Sequence, residues 1–120
     1  MRSFLLPAAI LISAASPVRA TDALFFNGGG YCIEVLVGHD GSPAVAQILF
    51  TPPKAANWAS LPAAQVRVEK FNLQQQLLII HFTNQGNPEL PQSFSLYVQK
   101  VRGTLQINGK RIKGKFDWST

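Results

Sequence analysis

Acidic residues are scarce in this chain and cysteine is nearly absent. Six Asp and Glu, one Cys, one Met and two His occur among 120 residues. A single Cys32 excludes an internal disulfide framework and a Cys-based zinc cluster. The six carboxylates, Asp22, Glu34, Asp40, Glu69, Glu89 and Asp117, make no recognisable paired-carboxylate motif. His39 and His81 are far apart, and turn chemistry accounts for Asp40 beside His39, so neither a metal nor a cofactor is expected. Gly28, Gly29 and Gly30 lack the Lys-Ser/Thr of a phosphate cradle and run into a strand pattern rather than a helix. Beyond residue 20 no apolar run could cross a membrane, since the densest spans only residues 77–80.

The first twenty residues read as a leader. Arg2 supplies a short positive region, residues 4–15 an apolar stretch, and Val18-Arg19-Ala20 a cleavage triplet with small side chains where a signal peptidase needs them. Cleavage after Ala20 is expected, leaving residues 21–120 as one exported domain, periplasmic or secreted, with no transmembrane segment. Losing Arg2 and Arg19 reduces the basic residues from 11 to nine against six acidic ones. So mild an excess argues against a specific nucleic-acid binder. Cys32, inside the apolar run 31–37, is expected to be buried and inert.

The mature part alternates like strands between turn signals. Residues 23–26, 31–37, 44–51, 65–71, 77–83, 94–101 and 104–118 are the strand candidates, with 77–83 apolar on both faces as if covered on each side. Residues 54–64 hold the one case for a short helix, which would set Trp58 and Leu61 on a common side. The expected fold is all-β: a single-domain antiparallel β-sandwich or small β-barrel of about seven strands, with at most one short helix.

Asn108-Gly109 is the strongest turn signal, because a type I′ hairpin needs positive φ at both central positions. A turn there pairs Ile107 with Lys110, Leu105 with Ile112, Gly103 with Gly114 and Val101 with Phe116 on one, mostly apolar, face. The other face pairs Gln106 with Arg111, Thr104 with Lys113, Arg102 with Lys115 and Lys100 with Asp117. Arg102, Arg111, Lys113 and Lys115 thereby gather on one side.

That pattern makes the leading expectation a non-enzymatic binding or interaction module, monomeric or weakly oligomeric. Its basic strand face would dock an anionic partner, whether protein, polysaccharide or lipid headgroup. An alternative is a carrier of a small apolar ligand in an internal cavity, with Trp58, Tyr97, Gly103, Gly114, Phe116 and Trp118 around its mouth. An enzyme is the third reading, and would require titratable groups such as His39, His81 and Cys32 to converge in one cleft.

Overall fold

Period-two alternation gives each strand one apolar side, and short connections keep successive strands antiparallel neighbours. The computed structural model describes residues 21–39 and 41–118. Its strands are β1 (Thr21–Gly28), β2 (Tyr31–Gly38), β3 (Ala44–Thr51), β4 (Ala59–Ser60), β5 (Val66–Asn72), β6 (Leu77–Phe82), β7 (Phe94–Gln99), β8 (Arg102–Ile107) and β9 (Lys110–Asp117). The proposed leader, residues 1–20, and Asp40 lie outside the described residues. No helix among the described residues is long and apolar enough to cross a membrane.

All nine strands belong to one antiparallel sheet, ordered β4-β3-β2-β1-β9-β8-β7-β6-β5. Two meanders, β1–β4 and β5–β9, are stitched together by β1 and β9, which pair at Phe25–Asp117, Phe26–Phe116 and Asn27–Lys115. The sheet curls into a half-barrel, bringing β3 and β5 into contact from opposite flanks of the order. A seam of about 100 Å³ separates them, lined by Val45, Ile48, Leu61, Val66 and Val68.

The concave side is the core. Leu24 and Phe26, Ile33, Val35 and Val37, Ile48 and Phe50, Leu78 and Ile80, Leu96, Leu105 and Phe116 are all buried there. Each contributes about 1.5–3 kcal/mol by leaving water. Phe26 settles the question of the paired glycines. Gly103 does face Gly114, but the space is filled: a Cβ on Gly103 would lie 2.6 Å from Phe26 Cδ1. A Cβ on Gly114 would strike the backbone of Asn27 and Gly28. These glycines let an aromatic ring and a crossing strand approach, and leave no gap.

The Asn108-Gly109 turn has φ of 56° and 72°, as a type I′ hairpin requires. All six pairs from Arg102–Lys115 to Ile107–Lys110 follow the expected register. Beyond them the expectation fails in one respect. Lys100 and Val101 form the reversal into β8, so Val101 is 64% exposed rather than packed over Phe116. Only its carbonyl continues the ladder, accepting the Phe116 N–H at 2.9 Å.

Other expectations need correction. Among the described residues the count is nine strands, in a single curled sheet rather than two stacked ones. Residues 54–64 form no α-helix: they contain β4, and Ala63–Gln65 is a 3₁₀ turn. Pro52, Pro53 and Pro62 interrupt helical hydrogen bonding, and Leu61 N–H donates to Ile48 O at 3.0 Å instead. Leu61 is consequently buried while Trp58 is 64% exposed. β6 lies one strand from the flank, its outer residues Leu77, Ile79 and His81 half-buried with no second layer over them. Cys32 points to the outer face and is also half-buried, a consequence of alternating with the core residue Ile33.

Candidate functional site

The convex face of β5–β9 is a grid of side chains set by the pairing. One row crosses all five strands as Arg67, His81, Ser95, Gln106 and Arg111. The next runs Lys70, Ile79, Tyr97, Thr104 and Lys113, and a third runs Asn72, Leu77, Gln99, Arg102 and Lys115. Arg102, Arg111, Lys113 and Lys115, singled out from the sequence, are therefore on one face and all exposed. Along β9 the cations recur every second residue, about 7 Å apart. Lys115 directly opposite Arg102 costs a few tenths to about 1 kcal/mol in repulsion. Arg67 and Lys70 on β5 add positive charge on the far side of the grid, which no sequence pattern linked to β9.

Around the first row lies an open groove of about 900 Å³, walled by the connection after β6 and by the Asn108-Gly109 hairpin. Arg67, His81, Ser95, Gln106 and Arg111 all line it. At its floor His81 bonds in two directions. Its Nδ1 lies 2.7 Å from Ser95 Oγ and its Nε2 lies 2.6 Å from Glu69 Oε1. A carboxylate only accepts, so Nε2 carries a proton and donates to Glu69. Whenever the ring is neutral, Nδ1 is then the acceptor for the Ser95 hydroxyl.

Glu69 shares the outer face with Arg67, and the β5–β6 register shifts between Val68 and Lys70, so Glu69 is an extra residue there and Lys70 also points outward. The hydrogen bond from His81 holds the Glu69 carboxyl below its ordinary range against desolvation, the next effect in size, with the charges of His81, Arg67 and Lys70 adding to the lowering. Arg67 Nη1 stands 3.9 Å from the same carboxylate oxygen.

Of the six residues considered for a ligand cavity, Gly103 faces Gly114 and Phe116 touches Trp118, but the six do not surround one opening. Gly103 and Gly114 pack on Phe26 and β1. Phe116 is buried beneath Trp118, with ring centroids 4.8 Å apart, and Trp118 Nε1 donates to Lys100 O at 2.6 Å. Tyr97 is on the outer grid. Trp58 sits at the opposite end of the sheet, beside a pocket of about 470 Å³ lined by Tyr31, Phe50, Pro52, Leu90 and Ile107.

His39, His81 and Cys32 do not converge either: His39 Nε2 pairs with Asp22 Oδ2 at 2.5 Å, while Cys32 stands across from Asn27 and Thr51. Burial pushes the Cys32 thiol above its usual pKa, and Glu34 adds to the rise. Among the described residues no group of three His, Cys, Asp or Glu side chains could hold a metal ion. Comparison with protein-family models, curated proteins and solved structures finds no match to the chain.

Proposed function

We propose that this is an exported binding module whose outer β5–β9 face captures an anionic polysaccharide. The observation that carries the reading is the column Arg111, Lys113 and Lys115 beside Arg102, facing Arg67 and Lys70 across a strip of uncharged polar groups. Ser95, Gln99, Thr104 and Gln106 in that strip suit hydroxyls, and Tyr97, 37% exposed, offers a ring face. Cations spaced along a strand suit a linear chain carrying repeated charge, and amides between them orient it.

The test is retention of the mature protein on immobilised dextran sulfate across a salt gradient. Replacing Arg102, Arg111 and Lys113 together with Gln should weaken binding by about threefold to a hundredfold, each surface charge contributing about 0.2–1 kcal/mol. The dependence on salt should flatten as well. Unchanged retention would remove the proposal, as would capture by anionic vesicles or acidic peptides but by neither dextran sulfate nor a polyuronate.

The pocket beside Trp58 favours a second reading, carriage of a small apolar ring, because its volume of about 470 Å³ falls in the ligand-pocket range. Titration of apolar aromatic probes with Trp58→Phe as the control separates this from the first reading, since the two sites use different side chains.

A further inference from the structure

We propose that Ser95, His81 and Glu69 form a nucleophilic relay, and that the groove around them hydrolyses carboxylic esters bearing a negative charge. Three observations converge. The distances of 2.7 Å and 2.6 Å on the two sides of His81 are those of a hydroxyl donating to a base and a base donating to a carboxylate. The orientation is set by Glu69, which stands at the register shift of β5 and accepts from the ring's other nitrogen. The third observation is the setting: all of Arg67, Gln106 and Arg111 share a row and a groove with Ser95. His39 makes a useful contrast, being paired with a carboxylate but with no hydroxyl on its other nitrogen among the described contacts.

The chemistry balances without any group beyond water. Ser95 Oγ attacks the ester carbonyl carbon while its proton passes to His81 Nδ1, and the carbonyl π electrons move onto oxygen. The carboxylate of Glu69 stabilises the resulting imidazolium through the Nε2 proton. Gln106 is the cross-strand neighbour of Ser95 on the side away from His81, and Arg111 lies next beyond it. Neighbours in a ladder are about 5 Å apart, so the Gln106 amide is the proposed oxyanion donor, and Arg111, about 10 Å from Ser95, is placed to hold the ester's own charge. Collapse breaks the bond to the alcohol oxygen, which leaves with the proton from Nδ1. Water then attacks acyl-Ser95, giving a proton to Nδ1, and Ser95 recovers it as the acid departs. Glu69 acts through His81 and is a positioning residue.

The sequence reading places an enzyme third and does not single out Ser95, which is 14 residues from His81, with Glu69 12 residues away on the other side and no motif joining them. The preference for a charged ester rests on the anion-binding reading of the same face; the relay itself does not.

The full mature chain would be treated with a fluorophosphonate probe and assayed with p-nitrophenyl acetate and p-nitrophenyl hemisuccinate. One equivalent of label on Ser95 by peptide mapping is expected, with none in Ser95→Ala and at least a hundredfold slower labelling in His81→Gln. Glu69→Gln should lower kcat with KM little altered, and Glu69→Asp should recover part of the loss; a merely structural contact would show neither. Hemisuccinate should exceed acetate about tenfold in kcat/KM, falling toward parity in high salt. An unlabelled wild-type chain with intact circular dichroism overturns the relay, as does label on another residue. Labelling without dextran sulfate retention would retire the binding reading and keep the relay, whereas retention without labelling would retire the relay alone.

Discussion

Replacing Gly103 with Ala tests the packing where the two meanders join. The new methyl would lie 2.6 Å from Phe26 Cδ1 and 2.8 Å from Cε1, well inside contact distance. Phe26 is fully buried, so its ring can yield only by displacing its neighbours in the core. Overpacking of this kind costs about 1–3 kcal/mol. Removing a glycine from the unfolded chain returns about 0.4–1 kcal/mol, which is too little to reverse the sign. Urea unfolding should therefore show a lower midpoint with an unchanged m-value. The thermal midpoint should fall by about 4–8 °C per kcal/mol. Phe26→Leu alone should also destabilise, but the double variant should recover at least about 0.5 kcal/mol relative to the sum of the two. Gly114→Ala has no such rescue, because its methyl meets the Asn27 backbone rather than a ring. A Gly103→Ala protein as stable as wild type, or strict additivity with Phe26→Leu, would refute the reasoning.

Three further outcomes follow from the geometry. Because Glu69 titrates below its ordinary range when folded, its stabilisation is present above the usual carboxylate pKa and is lost as pH falls through the folded value; in pH-dependent urea titrations the gap between wild type and Glu69→Gln should be largest near neutrality and close in acid. Cys32, with its thiol pushed up by burial and by Glu34, should react with iodoacetamide more slowly than a free thiol at neutral pH, and Glu34→Gln should speed the reaction. Lys100 holds φ at 54° while its N–H donates to Gln76 O at 2.8 Å; Lys100→Gly keeps that bond and relieves the strain, so the melting midpoint should rise, with a gain of about 1 kcal/mol.

The terminal hairpin was legible because Asn108-Gly109 dictates both the turn and the register of its six pairs, and with them the face shared by Arg102, Arg111, Lys113 and Lys115. Val101 was misplaced because the preceding turn is opened by Lys100, a residue that gives no hint of positive φ. The outer row linking Arg67 to Arg111 was hidden for a different reason. It depends on strands separated by a turn at residues 73–76 and an irregular connection at 83–93, and on a bulge at Glu69 that shifts the phase of alternation. Gly103 and Gly114 were legible as a facing pair, yet the residue that fills the space beside them, Phe26, is 77 residues from Gly103 and nothing local points to it.

The order of the strands has a consequence for how the chain assembles. Within each meander every strand lies beside its predecessor, so most pairing is local and closes short loops. Only the β1–β9 ladder, three pairs long, asks residues nearly the whole domain apart to meet. At that junction Gly28, Gly114 and Phe26 interlock, so the one long-range ladder closes on a tight fit. Linking residue 118 back to residue 21 and opening the chain near Pro62 would turn the molecule into one uninterrupted up-and-down ribbon, whose refolding should be faster with the same core.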